Sequence, residues 1–284
     1  MTWFFLTLST ALCWGISQVL IKKGFDHLPP LWNNIINNGL SLIVWVVPIL
    51  IIHGFSFPLP PSHILLTILG ASSLYHLFFY VISQGKISLT GTVVSGYPVI
   101  TIALSHIFIA ERLMLLQYIG IACILTGSII VVLPEKVELK KSRDISWILW
   151  GFTGAVTIGV GDFLSKLSID SIGPFTHMVF LAIISNAVSL FNYTVDKKNR
   201  HVPHIFQQRL LTSLGGLILN LVGVFMFYLA FKYGKVSLVI GVSSIYPAFM
   251  VIFAMKLLNE KISPKQGAGI GTTIAGLLIV GFGS

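Results

Sequence analysis

Apolar residues in this chain fall in long unbroken blocks separated by short polar joins. The blocks run over roughly 3–21, 31–52, 63–84, 88–109, 115–133, 146–168, 173–194, 209–231, 236–257 and 265–283. Each is close to the roughly 20 residues that an α-helix needs to cross a bilayer. They are too long and too continuous for the alternating segments of a β-barrel. The pattern predicts an all-α integral membrane protein with ten transmembrane helices. Composition supports this: 55% of residues are hydrophobic and 10% charged, where a soluble domain carries about 25% charged residues. The first block lacks a basic stretch ahead of it and has Lys22 and Lys23 behind it, so it reads as a retained helix and not a signal peptide.

The pattern is written twice. Residues 85–127 align without a gap to 234–276 at an offset of 149, pairing Gly85/Gly234, Ser88/Ser237, Ser95/Ser244, Tyr97/Tyr246, Pro98/Pro247, Glu111/Glu260, Gln117/Gln266, Gly120/Gly269 and Gly127/Gly276. A second block, at an offset of 144, pairs Gly15/Gly159, Lys22/Lys166 and Pro30/Pro174. The chain divides into a first repeat over 1–133, a basic linker over 134–145 and a second repeat over 146–284. Five helices per repeat is an odd number, so the second copy enters the membrane from the opposite side. Two inverted five-helix repeats, related by an axis in the membrane plane, suit alternating access around a site near the midplane.

Charge refines the placement. The formal net charge of +9 is spread over joins beside apolar blocks, which speaks for orientation in a bilayer and against nucleic-acid binding. The positive-inside rule puts the basic joins 134–145 and 195–208 in the cytoplasm, with both termini outside. Cys13 and Cys123 lie inside apolar blocks and read as packing residues.

Polar residues at membrane depth are costly and mark candidate sites. Asp162 is the carboxylate well inside a span. One reading pairs it with Lys166 at i+4; the sharper reading makes it a contact for a substrate ammonium or a carrier of protons. Its repeat mate is Gln18 (18 + 144 = 162). Asn33, Asn34, Asn37 and Asn38 form two ridges on one side of helix 2, which suit either interhelical hydrogen bonds or, the favoured reading, the lining of a cavity for polar solutes. His177 is the mate of Asn33 (33 + 144 = 177). His76, Gln84, His106, Asn186 and Asn220 are further intramembrane polar residues.

Pro98 and Pro247 stand in the middle of helices 4 and 9, where proline removes a backbone hydrogen bond. Matched kinks are expected there as hinges, with Tyr97 and Tyr246 either closing over substrate or packing. Glu111-Arg112 and Glu260-Lys261 fall at helix ends, in capping or pairing positions at the next helix start. Gly120, Gly127, Gly269 and Gly276 allow close helix approach, and Gly267-x-x-x-Gly271 suits intrachain packing or a homodimer face.

With Trp14-Gly15 in helix 1, the two Tyr-Pro copies, and Glu111-Arg112-Leu113 echoed by Glu260-Lys261-Ile262, the chain resembles the EamA-like members of the drug/metabolite transporter superfamily. The resemblance implies a ten-helix secondary transporter for amino acids, amines, sugars or other metabolites, with a central cavity and with helices 5 and 10 at the periphery. It also implies cytoplasmic termini, opposite to the charge bias. Substrate-binding candidates are Trp14, Gln18, Asn33, Asn37, Asn38, Tyr97, Asp162, His177 and Tyr246. The expected partners are a small-molecule substrate, the lipid bilayer, protons as a coupling ion and a second copy of the chain. No cofactor or metal is expected: the pair His201 and His204 lacks further ligands. The chain has no GxxxxGK[ST] loop, HExxH motif or paired membrane carboxylates, which weighs against ATP drive and against an intramembrane enzyme. A non-transporting scaffold is the other alternative.

Overall fold

The computed structural model describes residues 1–22, 29–55, 57–83, 93–133, 146–201, 208–258 and 263–282. The secondary structure among those residues is helical, without strands. Helix α1 spans Thr2–Lys22 and α2 spans Pro30–His53. They are followed by α3 (Ser62–Ser83), α4 (Tyr97–Phe108) and α5 (Leu115–Val132). The second half holds α6 (Ser146–Ile172), α7 (Pro174–Val195), α8 (Gln208–Tyr233), α9 (Val236–Ser243), α10 (Tyr246–Leu258) and α11 (Pro264–Phe282).

Eight helical stretches among the described residues are long and apolar enough to cross a membrane, with α9 and α10 counted together as one. Ten were expected. The fourth expected span contributes the shorter apolar helix α4, because 84–92 lies outside the described residues, as do Gln84, His204 and Glu260. The tenth corresponds to the 19-residue, glycine-rich α11. Large side chains such as Phe5, Ile43, Ile51, Leu66 and Leu190 are exposed, as a lipid-facing surface requires.

The proline segments differ from expectation. Pro98 and Pro247 do not kink a continuing helix. The backbone breaks ahead of each, in turns at Ser95-Gly96 and Ser244-Ile245, and a new helix starts at the tyrosine. Proline then sits in the first turn, where its missing N–H costs nothing. The carbonyl freed at Ser244 accepts the Ser128 hydroxyl of α5. Another irregularity lies in α2, where Leu42–Val46 is π-helical just ahead of Pro48. Proline cannot donate to the preceding turn, and the widened turn takes up the mismatch. Trp45, inside that bulge, donates its indole N–H to the Leu221 carbonyl of α8 at 2.8 Å.

Helix packing follows the repeat. α1 lies along α8, and α6 lies along α3; α1 also meets α10, while α6 meets α4; α2 meets α7, and α5 meets α11. Exchanging the two halves interchanges the first four pairs two by two and turns α2–α7 and α5–α11 into themselves. The α5–α11 seam repeats this at atomic scale. A Cβ added at Gly120 would stand 2.9 Å from the Gly276 carbonyl oxygen, and one at Gly276 2.6 Å from that of Gly120. At Gly127 and Gly269 the corresponding distances are 2.6 and 2.8 Å. Gly120 meets Gly276 and Gly127 meets Gly269, so the two helices run antiparallel. The buried residues of α11 form one narrow stripe, Gly269, Thr273, Gly276 and Val280, which leaves it at the periphery of the bundle. Gln117 and Gln266 explain their own recurrence: each side-chain oxygen accepts the backbone N–H three residues earlier, at 3.0 and 3.1 Å, capping α5 and α11.

Candidate functional site

Asp162 lies in the middle of α6 and is buried. The hydroxyl of Tyr75, from α3, donates to its Oδ1 at 2.7 Å. Tyr75 Oη lies 3.2 Å from Ser165 Oγ, and Tyr228 of α8 donates to it at 3.5 Å. Because the single Tyr75 proton goes to the carboxylate, its oxygen accepts from both neighbours. The approach depends on Gly161, where an added Cβ would sit 2.8 Å from the Tyr75 ring.

The Asp162–Lys166 pair, one of the two readings of the sequence, does not form. Lys166 Nζ donates instead to Asp170 Oδ1 at 2.7 Å and to the Phe231 carbonyl at 2.9 Å. Its helical position points it towards α8 and the helix end, away from Tyr75. Among the side chains described Lys166 is the only buried lysine or arginine, and Asp162 has no ion-pair partner there.

A chain of aromatic rings runs on from the Tyr75–Tyr228 pair. Tyr97, first residue of α4, is buried; its hydroxyl reaches Ser243 and Ser244 at the break between α9 and α10, and it lies within the field of Asp162. Trp14 of α1 packs on Phe227 with ring centroids 5.2 Å apart, and edge-on to Tyr246 at 6.0 Å. Gly223 makes room for that indole, since an added Cβ would meet Trp14 Nε1 at 2.9 Å. Trp14 Nε1 is buried without a hydrogen-bond partner. Trp45 closes on Tyr228 at 6.1 Å. His177 is fully buried, packs edge-on to Tyr228 at 5.0 Å, and shares a 2.9 Å hydrogen bond between Nδ1 and Ser168 Oγ. Its Nε2 has no partner.

Of the sequence candidates, Asp162 thus meets Tyr75, His177 meets Tyr228, Tyr97 lies within the field of Asp162, and Trp14 and Tyr246 meet each other beside Phe227. Gln18 is exposed, although it projects from the helix face that buries Thr7 and Ala11. Asn34 and Asn38 of α2 are engaged elsewhere. Asn38 Nδ2 donates to His76 Nε2 at 3.0 Å and to Ser189 Oγ at 2.9 Å, and Asn34 donates to the His76 carbonyl at 3.2 Å. His76 Nδ1 donates to the Ser72 carbonyl at 2.7 Å. Asn186 of α7 donates to the Asn38 carbonyl at 2.8 Å. This knot ties α2, α3 and α7 together, which is the interhelical role for Asn34 and Asn38. Asn37 takes part in no recorded hydrogen bond among the described residues, and Asn33 is hydrogen-bonded or otherwise engaged. Sequence reasoning missed Tyr75, Tyr228, Trp45 and Ser165. Gly161 directly beside Asp162 was the available signal, a small residue next to a costly polar one.

The family model described as the EamA-like transporter family matches residues 1–133 and 145–282. An uncharacterized transporter of Archaeoglobus fulgidus is 23% identical over 279 residues, covering 97% of this chain and 96% of that protein. A protein of Salmonella typhimurium named a probable amino-acid metabolite efflux pump is 25% identical over 299 residues, covering 98% and 94%. A solved crystal structure superposes with a TM-score of 0.80 at 15% identity, covering 98% of this chain and 96% of that one, and shares the fold.

Proposed function

The chain belongs to the EamA-like transporter family, a multi-pass integral membrane protein with a small-molecule substrate, and on that premise we propose how it works. It is a secondary active transporter of a small polar metabolite across the cytoplasmic membrane. It alternates access around the cavity that Asp162 marks, with ten crossings arranged as two inverted five-helix repeats. The antiparallel glycine seam and the half-exchange symmetry of the helix pairs support inversion, because equivalent helices of a non-inverted repeat run parallel. The matched breaks ahead of Tyr97-Pro98 and Tyr246-Pro247 supply hinges at equivalent places in both halves.

The observation that carries the reading is Asp162 itself: a buried carboxylate in a membrane helix, bonded by one tyrosine and left without a counter-charge among the described residues. Such a group is costly unless it meets a mobile partner. A proton is the proposed coupling ion. Trp14, Tyr97, Tyr246 and His177 line or back the site; Gln18 stands at its mouth, and Asn33 and Asn37 extend its polar wall. The basic joins 134–145 and 195–208 face the cytoplasm, and the exposed Gly267 and Gly271 offer a surface for a second copy.

Counterflow in proteoliposomes with a metabolite panel, with and without an imposed proton gradient, tests this. Amino acids enter the panel first because of the name borne by the Salmonella relative. Asp162→Asn is expected to impair flux or its pH dependence more than Lys136→Ala in the basic join. Equal, wild-type-like flux from both variants removes Asp162 from the mechanism.

A further inference from the structure

The charge balance around Asp162 restricts what can bind beside it. Tyr75, Tyr97 and Tyr228 lie near the carboxylate, Phe227, Trp14 and Tyr246 continue the aromatic chain from Tyr228, and no described side chain there is a free cation. Lys166, the only buried lysine or arginine among the side chains described, is spent on Asp170 and on the Phe231 carbonyl. His177 does not supply the missing charge: an imidazolium needs two acceptors, and its Nε2 has none. The nearby donors are neutral. They are the Tyr75 and Tyr228 hydroxyls, already given to Asp162 and to Tyr75, and the buried, unpartnered Trp14 N–H.

We infer that this pocket takes the cationic head of an organic monocation, an ammonium or alkylammonium group, in preference to zwitterions and anions. The inference rests on the transport reading above and narrows its substrate class. An ammonium head supplies the counter-charge that Asp162 lacks. Aromatic faces attract the same group through their quadrupoles, most strongly where water is excluded. A zwitterion would satisfy Asp162 with its ammonium but bring a carboxylate that no cation awaits, and burying that second charge unpaired is unfavourable. The Trp14 N–H offers one neutral donor, enough for a hydroxyl or carbonyl oxygen on the ligand and too little to balance an anion. Trp14, Tyr75 and Tyr246 are half-buried, while Asp162, Tyr97 and Tyr228 are buried.

The test uses three matched pairs that differ by one carboxylate: choline against betaine, ethanolamine against glycine, and phenethylamine against phenylalanine. Binding to the full-length protein is measured by titration calorimetry, and exchange by counterflow. The cation of at least one pair is expected to bind at least about tenfold more tightly than its zwitterion. Asp162→Asn is expected to abolish that preference while the variant stays monodisperse with an unchanged unfolding temperature. Tyr75→Phe, which keeps the ring and the carboxylate, is expected to retain the preference. Equal or tighter binding of the zwitterions overturns the inference and leaves the transport reading standing. So does exchange of other solutes with no cation bound, or a cation preference that survives Asp162→Asn. Absence of counterflow for every solute, cations included, defeats the transport reading instead.

Discussion

Glu111, just past the end of α4 in the first half, caps the helix that Val236 begins in the second. One carboxylate oxygen accepts the Val236 N–H at 2.8 Å; the other accepts the Ser237 N–H at 2.9 Å and the Ser237 hydroxyl. Glutamate at a helix end was expected to cap the next helix start, and here the helix it caps belongs to the other repeat. An acidic group at a helix N-terminus satisfies two orphan donors and complements the dipole. Replacing Glu111 by Ala is expected to destabilise the protein by about 1–2 kcal/mol. Glu111→Gln, which keeps one acceptor, should cost less. Thermal unfolding in detergent checks the order of the two.

Ala110, one residue earlier, has φ +50°, the left-handed region that penalises a Cβ by about 1–2 kcal/mol. The turn directs Glu111 towards α9. Asn259 occupies the matching position in the second copy (110 + 149 = 259), and asparagine tolerates this conformation better than alanine. Ala110→Asn is therefore expected to raise the unfolding temperature, and a fall would show that the penalty is offset by packing of the alanine methyl.

The glycine seam sets up a contrast between its two helices. Gly127→Ala would drive a methyl against the Gly269 carbonyl and Thr273, an overpacking cost of about 1–3 kcal/mol. An added Cβ at Gly271 meets nothing within 4 Å, and Gly271→Ala should be neutral or stabilising by up to about 1 kcal/mol through helix propensity. Unfolding of the two variants side by side separates seam from surface.

Asp196, at the C-terminal end of α7, carries a pH dependence. Burial raises its pKa. The Asn199 side chain, the Tyr80 hydroxyl and the backbone amides of Asn199 and Lys198 outweigh that and hold the carboxyl below the ordinary range. A depressed folded pKa means that the carboxylate stabilises the fold above the ordinary aspartate value of about 3.9 and loses that contribution as pH falls through the lower folded value. Asp196→Asn is expected to lower stability at neutral pH and to flatten the acid limb of an unfolding-temperature profile. An unchanged acid limb would assign the acid sensitivity to other carboxylates.

Helix extents were legible because a span's length is imposed by the bilayer. The expected 173–194 and 115–133 differ little from α7 and α5. The breaks at Tyr97 and Tyr246 read as kinks because a proline in an apolar block is compatible with either outcome. What favours a full break is the tertiary acceptor or donor waiting for the freed groups, such as Ser128 at the Ser244 carbonyl. Asp162 stood out as an intramembrane carboxylate, but its partner did not. Lys166 is one turn away in sequence, while Tyr75 comes from the other half and counts as apolar in any block of hydrophobic residues. The asparagines of α2 were conspicuous for the same reason that Tyr75 was not: amides register as polar at once. In Asn34 and Asn38 that polarity is used on His76 and Ser189.

The glycine seam has a further consequence for assembly. Since α5 offers α11 what α11 offers back, the contact is isologous, of the kind that joins identical subunits about a two-fold axis. Each repeat carries the complement of its own last helix, so recognition between the halves is encoded within them and the linker need only keep them at high local concentration. Segments 1–133 and 146–284, made as separate chains in one cell, should find each other and copurify, and Gly127→Leu should prevent it.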